Sequence, residues 1–272
     1  EESEIFEGIG MGSDGNRICI YTVTHKLCHI PSSDPMYQVL LVGKQLQGTP
    51  AGWLRDSMGD SISDRNSRYN ELTGLYWIWK NAPYDIVGLC HYRRFFATYK
   101  GKIRNLASGE ISGLIDEAYI LKQLRRYDII LHNKTFFKEG NQKQLCLKKG
   151  MRLETDNKIP VEILDLVERI FRQIYPSEFD VYKRVMNGHS AHLLNMMIAE
   201  KDVVDRYCQW LFALLFRIEI CLDEMYPGRE LPRLMGLIAE RLLDVWVTGR
   251  NLKVKECFTV NTERIDRSWI AR

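Results

Sequence analysis

The sequence lacks the short motifs that mark several common classes of enzyme. It has no Gly-x-x-x-x-Gly-Lys-Ser/Thr loop for nucleotide phosphates, no Gly-x-Ser-x-Gly nucleophile elbow and no His-Glu-x-x-His zinc helix. No two aspartates lie two residues apart, so the Asp-x-Asp pair that often holds a divalent cation on a diphosphate is missing as well. A phosphate site in this chain would have to be built from other groups.

Long apolar runs, closely spaced cysteines and a large net charge are also absent. No run approaches the roughly 20 apolar residues of a membrane-spanning helix, and nothing resembles a secretory signal. The seven cysteines include no Cys-x-x-Cys pair, which favours reduced thiols in a cytoplasmic protein. With 38 Lys and Arg against 35 Asp and Glu, the net charge of +3 argues against nucleic acid as a partner.

The length and composition suit one large folded domain. The 272 residues are 45% hydrophobic, enough for a full core. The acidic, glycine-rich stretch 1–16 is predicted to be a flexible lead-in, and 17–272 a single domain. Because the first residue is Glu1 and not Met, we expect the domain to come from a longer polypeptide.

Apolar runs and helical periodicity alternate in the first half of the chain, and helical periodicity dominates the second half. This pattern predicts an α/β fold with a mostly parallel sheet and a helical C-terminal half. The predicted strands are 17–24, 84–90, 128–131 and 252–260, and the predicted helices are 67–81, about 116–126, from 161 to the residues before Pro176, about 202–224 and about 232–248.

Basic residues follow three of the apolar runs. The run Ile18–Thr24 leads into His25 and Lys26, Tyr84–Cys90 into His91, Arg93 and Arg94, and Tyr127–Leu131 into His132 and Lys134. If these strands are parallel neighbours, their carboxyl ends share one edge of the sheet, where α/β proteins bind ligands. Guanidinium groups chelate phosphate oxygens, so this edge is predicted to bind a diphosphate.

The segment 58–81 is dense in polar groups next to an aromatic helix. Asp60, Asp64, Asn66, Glu71 and Thr73 are candidates for contact with a sugar or base, and Asp60 and Glu71 are also candidate bases. The tryptophans at 77 and 79 are predicted to pack in the core.

Metal ligands are sparse in the sequence. His189 and His192 are three apart, but no third zinc ligand lies nearby, so a structural role is favoured. The carboxylate pairs Glu154/Asp156 and Glu178/Asp180 keep a divalent metal open, although neither pair follows a convincing strand. We therefore expect no required metal or other cofactor.

The ordered strings GDSISDRN, NELTGLYWIWKN and YDIVGLCHYRRFF resemble a bacterial family first known only as a domain of unknown function, whose members include galactofuranosyltransferase domains of capsule, exopolysaccharide and O-antigen synthesis. The resemblance continues through GHSAHLLNMMI and LIAERLLDVWV and covers residues 17–261. It implies a pared-down GT-A glycosyltransferase fold, a uridine diphosphate (UDP) sugar donor and a glycan acceptor.

The basic strand ends, the polar segment 58–81 and the family patterns together give the predicted site residues. The predicted donor-binding residues are Thr24, His25, Lys26, His91, Tyr92, Arg93 and Arg94, with His91, Arg93 and Arg94 as the cations. The predicted sugar- or acceptor-binding residues are Asn66, Glu71, Thr73, His192 and Asn195. An inverting transfer needs one carboxylate to deprotonate the acceptor hydroxyl, and Asp60 or Glu240 is predicted to be that base.

The resulting functional expectation is a cytoplasmic glycosyltransferase of surface polysaccharide synthesis, with UDP-galactofuranose as the favoured donor. A lipid-linked acceptor, peripheral association with the inner face of the membrane and a fused or partner transferase domain fit the resemblance. Two alternatives stay open: transfer of a pyranose, including a retaining reaction, and a non-catalytic nucleotide- or glycan-binding scaffold.

Overall fold

The computed structural model describes residues 18–43, 46–108, 111, 113–136, 138–139, 143–144 and 160–263. The predicted lead-in at 1–16 and the carboxylate pair at 154 and 156 lie outside these residues. Within them, no helix is both long enough and apolar enough to cross a membrane.

The described chain alternates strands and helices before it becomes mainly helical. The strands are β1 (Ile18–Thr24), β2 (Tyr37–Leu41), β3 (Leu54–Arg55), β4 (Ile86–His91), β5 (Arg94–Ala97), β6 (Ile129–His132), β7 (Thr135–Phe136), β8 (Lys138–Glu139), β9 (Lys143–Gln144), β10 (Ser190–Ala191), β11 (Met197–Glu200) and β12 (Val254–Asn261). The helices are α1 (Asn66–Tyr69), α2 (Leu72–Asn81), α3 (Tyr99–Ser108), α4 (Glu117–Leu124), α5 (Val161–Ile174), α6 (Phe179–Met186), α7 (Lys201–Met225) and α8 (Leu234–Gly249), with 3-10 turns at Ser63–Arg65 and Pro176–Glu178.

The main sheet is parallel on one side and mixed on the other. Strands β3, β2, β1 and β4 are parallel neighbours in that order. Strand β11 then pairs antiparallel with both β4 and β6, and β12 runs parallel to β6 and antiparallel to β5. A tight hairpin joins β4 to β5, with His91 opposite Arg94. The carboxyl ends of β1, β4 and β6 therefore lie at one edge, with β11 between β4 and β6.

Both faces of the sheet are covered, which explains why β1 is buried along its whole length. Because strand side chains alternate between faces, Cys19, Tyr21 and Val23 enter one core, and Ile18 and Ile20 enter the other. Helices α2, α5, α7 and α8 pack in the first core, and α4 packs in the second. The first core is the larger and contains the helical C-terminal half.

The predicted α/β class and its helical C-terminal half are confirmed, and the predicted helices and strands are present with ends shifted by a few residues. The predicted helix 67–81 is broken at Asn70, which has a φ of 50°. The sequence interpretation missed β2 and β3 in the stretch after β1 that it took as irregular, and α3 in its predicted loop 98–113. It also did not identify β5 after the basic residues, or β11 as a strand where it expected only short helices or strands. The tryptophan at 77 packs in the core as expected.

Gly88 allows β11 to pair closely with β4. A methyl group at this position would lie 2.7 Å from Cγ1 of Ile198 on β11 and 3.2 Å from the carbonyl oxygen of Met197. Gly88→Ala is therefore expected to lower the free energy of unfolding by about 1 to 3 kcal/mol. The matched control is Gly249→Ala, where the nearest atom would be 3.5 Å away. Urea denaturation of both variants measures the difference, and equal stability would contradict the proposed close contact.

Candidate functional site

A cleft of about 420 Å³ opens at the carboxyl ends of β1 and β4. The N-terminal end of α8 and the turn between α1 and α2 close its other sides. Its lining residues come from six separate parts of the chain: Val23, Thr24, His25, Val42, Asn66, Asn70, Glu71, His91, Tyr92, Arg93, Arg94, Leu194, Arg233 and Glu240. The structure thus gathers Thr24, His25, Asn66, Glu71, His91, Tyr92, Arg93, Arg94 and Glu240 of the predicted site.

Three arginines give the cleft its positive charge. Arg93 and Arg94 follow β4, whereas Arg233 precedes α8 in a left-handed conformation with a φ of 63°. Burial and the neighbouring Arg93 lower the pKa of Arg94, although a guanidinium stays charged at neutral pH. Neither Arg94 nor Arg233 forms a salt bridge with another described residue. Their donors are available to an anion.

Arg233 was missed at the sequence level. No strand or local motif marks it, and only the packing of α8 against the α1–α2 turn brings it to the cleft. Its backbone N–H donates to the Ser67 carbonyl oxygen at 2.8 Å, which ties the start of α8 to that turn.

Two carboxylates face the same cleft. Glu71 accepts a hydrogen bond from Nδ2 of Asn195 at Oε1 (2.7 Å) and is also stabilised by its own backbone N–H, and no other side chain in the described part of the chain donates to its Oε2. Glu240 uses both oxygens, since Oε1 accepts from the Leu194 N–H (3.1 Å) and Oε2 from Arg241 (2.5 Å). Burial raises the pKa of both groups, and the Glu71 charge raises that of Glu240 further. Glu71 therefore has the freer carboxylate oxygen.

The histidines of the cleft are not cations, contrary to the role predicted for His91. Burial lowers the pKa of His91 to about 4, so its ring is neutral at neutral pH. Its Nε2–H donates to the Leu194 carbonyl oxygen at 2.6 Å. Burial, together with the charges of Lys26 and Arg93, also lowers the pKa of His25. Positive charge at this edge comes from lysine and arginine.

Residues 192–195, here called the clamped loop, are held from several sides. The main chain includes two left-handed residues, Leu194 (φ 73°) and Asn195 (φ 51°). From α8, Asp244 accepts the His192 N–H (2.7 Å) and Glu240 accepts the Leu194 N–H (3.1 Å). From the sheet, His91 donates to the Leu194 carbonyl oxygen and His132 to the Leu193 carbonyl oxygen. The Asn195 amide donates to Glu71 and, at 3.3 Å, to the Gly236 carbonyl oxygen.

The clamped loop explains why the end of β6 does not join the cleft. His132 and Lys134 were predicted to line the same edge as His91, but β11 lies between their strands and the loop covers the gap. His192 and Asn195 are 2% and 0% exposed, so their predicted contact with a sugar does not occur in this conformation. Nδ1 of His192 hydrogen-bonds Oδ1 of Asp244 at 2.7 Å and positions the loop instead.

Asp60 lies outside the cleft, on an exposed turn beside the C-terminal end of α2. Its carboxylate accepts from the Tyr76 hydroxyl (3.1 Å), and its main chain exchanges two hydrogen bonds with the Asn81 amide. The aspartate that the sequence interpretation missed is Asp56, which is 1% exposed and accepts from the Gly43 N–H and the Ser63 hydroxyl. Burial raises the pKa of Asp56. Both aspartates organise the chain before α2.

Thr73 and Asn66 stabilise the turn between α1 and α2. Thr73 is buried, and its hydroxyl accepts from the Asn66 amide (2.9 Å) and donates to the Asn70 carbonyl oxygen (3.0 Å). The amide of Asn66 also donates to that carbonyl oxygen (2.8 Å). This network fixes the start of α2, and hence Glu71, against the cleft.

Lys26 lies next to the main cleft, in a second cleft of about 360 Å³ that adjoins it at Tyr92. Thr24 sets this turn, because its hydroxyl bonds both the N–H and the carbonyl oxygen of Lys26.

In the described part of the chain, no group of three or more His, Cys, Asp or Glu side chains is arranged to hold a metal ion. His189 and His192 accordingly do not form a zinc site with other described residues.

Comparisons with known proteins extend this description. The family model described as "Domain of unknown function (DUF4422)" matches residues 19–251. The solved apo structure of WbbM, a bifunctional glycosyltransferase, superimposes with a TM-score of 0.73 at 24% identity. The match covers 92% of this chain and 46% of WbbM, so this chain spans less than half of that protein. No curated protein matches significantly.

The neutral state of His91 makes stability depend on pH. The pKa of His91 is about 4 in the folded protein and near 6.5 when unfolded, so protonation of the unfolded chain favours unfolding as the pH falls from 6.5 towards 4. The loss attributable to His91 is about 3 kcal/mol over that range. His91→Gln keeps a donor for Leu194 but does not titrate. Urea denaturation from pH 7 to 4.5 is expected to show a shallower decline for this variant, and parallel declines would contradict the assignment.

Proposed function

Because this chain belongs to the DUF4422 family and shares the fold of the WbbM glycosyltransferase, we propose that it is a glycosyltransferase domain that moves a sugar from a UDP-sugar to a glycan acceptor. The observation that carries the proposal is the composition of the cleft. Arg93, Arg94 and Arg233 converge there with Glu71 and Glu240. Glycosyl transfer needs cations for a departing diphosphate and a carboxylate next to the reacting sugar.

In the proposed complex, the arginines hold the donor diphosphate. Among the described residues, Arg94 and Arg233 form no salt bridge, and Arg93 lies beside them on the β4–β5 hairpin. Bidentate contacts from guanidinium groups stabilise phosphate oxygens as negative charge accumulates on the leaving group. The strand end that could carry an Asp-x-Asp pair carries His91 to Arg94 instead. We therefore propose that a divalent metal is not required.

In the proposed reaction, Glu71 is the base. Its Oε2, to which no other described side chain donates, can accept the proton of an acceptor hydroxyl as that oxygen attacks the anomeric carbon, and the bond to the diphosphate breaks on the opposite side. The raised pKa of Glu71 makes it a stronger base than an ordinary carboxylate. Glu240 instead holds the clamped loop, and Asp60 is outside the cleft. This assignment revises the choice between Asp60 and Glu240 made from sequence.

The finer identity of the reaction follows from the family resemblance. The favoured donor is UDP-galactofuranose, with inversion at the anomeric carbon, and the favoured acceptor is a lipid-linked glycan of a surface polysaccharide, used at the inner face of the cytoplasmic membrane. A second transferase domain is proposed as a partner, since the related WbbM is bifunctional and longer. Hydrolysis or transfer of the donor sugar would distinguish an enzyme from a non-catalytic binding scaffold. An assay with UDP-galactopyranose beside UDP-galactofuranose tests which ring form of the sugar is transferred.

Arg94→Ala is expected to weaken UDP binding about 10- to 100-fold, because it removes a charged hydrogen-bond donor worth about 1.5 to 3 kcal/mol. Calorimetric titration in excess chelator measures the affinity without divalent metal. Arg206→Ala, on the exposed face of α7, is the control for loss of one positive charge. Unchanged affinity in Arg94→Ala, or binding that disappears in chelator and returns with manganese, would contradict the proposed mode of binding.

Glu71→Gln is expected to lower the turnover number about 100-fold or more while preserving folding and UDP affinity, because the amide cannot accept the proton. Asp60→Asn should stay within about threefold of the wild type. Glu240→Gln should mainly lower the thermal midpoint, since its carboxylate supports the clamped loop. Single-turnover transfer assays with the three variants decide the assignment, and an active Glu71→Gln would exclude Glu71 as the base.

A further inference from the structure

A single carboxylate bridges two cations at the edge of the cleft. Oε1 of Glu263 lies 2.9 Å from Nζ of Lys26, and Oε2 lies 3.1 Å from Nη1 of Arg93. The two cations follow different strands, β1 and β4, and both belong to the set predicted to bind the donor diphosphate. Two oxygens on one central atom, each bound to a different cation, reproduce the contacts that a phosphate group would make there.

The main chain holds Glu263 in this place. Asn261 on β12 pairs with Arg94 on β5, and the Thr262 N–H donates to the carbonyl oxygen of Arg93 at 2.9 Å. The Glu263 N–H then donates to Oδ1 of Asn261 at 3.0 Å. The end of β12 is thus tied to the strand that carries the arginines, which brings the carboxylate to them.

The three side chains of the bridge lie where the two clefts meet. Arg93 lines the main cleft, Lys26 and Glu263 line the second, and Tyr92 lines both. The ammonium of Lys26 and the guanidinium of Arg93 lie 4.6 and 5.6 Å from the centre of the Tyr92 ring. A ligand that replaces the Glu263 carboxylate would therefore reach from one cleft into the other.

The ion pairs of the bridge are weak enough for a ligand to replace them. The side chains of Lys26, Arg93 and Glu263 are 48%, 38% and 41% exposed, and ion pairs at such exposure add little net stability. A diphosphate carries more charge than a carboxylate. It would also contact Arg94 and Arg233, with which Glu263 forms no salt bridge among the described residues.

We propose that Glu263 sets the affinity of this cleft for its donor, because its carboxylate occupies a phosphate position between Lys26 and Arg93 and is displaced when the diphosphate binds. The identity of the ligand as a sugar donor rests on the proposed function. The competition between the Glu263 carboxylate and an incoming anion rests on the bridge alone. Glu263 is then an internal competitor that occupies two cations of the site, and offsets part of their charge, until a donor arrives.

The test compares Glu263→Gln and Glu263→Ala with the wild type by calorimetric titration of UDP, uridine and inorganic pyrophosphate at constant ionic strength. Removing the competing charge is expected to tighten UDP and pyrophosphate binding about 3- to 10-fold and to leave uridine unchanged. Glu178→Gln is the matched control, because Glu178 bridges both terminal nitrogens of Arg250 at 3.1 and 3.2 Å on another part of the surface. The control removes the same charge and should leave all three affinities unchanged.

Weaker or unchanged anion binding in both Glu263 variants would overturn the proposal, since the carboxylate would then orient the cations instead of competing for them. Equal tightening in Glu178→Gln would also overturn it, because net charge would explain the effect. If pyrophosphate binds more tightly in the Glu263 variants while UDP binds to none of the proteins, the competition is supported and the proposed donor class is wrong.

Discussion

The site depends on the hydrogen bonds that hold residues 192–195. This clamped loop contains two consecutive left-handed residues, a conformation that L side chains disfavour and that persists only where surrounding contacts fix it. The carboxylates of Glu240 and Asp244 on α8 accept hydrogen bonds from N–H groups of this loop. His91 and His132, at the ends of two strands, donate hydrogen bonds to its carbonyl oxygens. The loop therefore joins the helical half of the molecule to the sheet at the floor of the cleft.

This constraint divides the polar residues at the sheet edge into two sets. Groups that hold the loop are buried and already bonded, which is why His91 is neutral and Glu240 has no free oxygen. Arg94, Arg233 and Oε2 of Glu71 have no salt bridge or side-chain donor among the described residues, and these groups carry the proposed chemistry. Arg94 and Arg233 thus lie in the same cleft as Glu71, whose charge they influence, without forming a salt bridge with it.

The sequence predicted the elements with clear periodicity and the strand end that carries Arg93 and Arg94. It could not predict β11, because a short apolar run does not reveal that it pairs antiparallel between two parallel strands. That pairing places His132 outside the cleft, where it supports a loop. Arg233 and Glu263 were equally hidden, since each reaches the site only through long-range packing of α8 or β12. The local sequence predicted which kinds of side chain lie at the site, but not which groups each of them contacts.

The central claim is that arginines hold the donor diphosphate while the loop histidines do not touch it. A crystal structure with bound UDP tests this most directly. The account predicts diphosphate oxygens within hydrogen-bond distance of Arg94 and of Arg93 or Arg233, with His91 still bonded to the Leu194 carbonyl oxygen and the Glu263 carboxylate displaced. A nucleotide bound elsewhere on the surface, or a diphosphate held through a metal ion on Glu71 and Glu240, would contradict it.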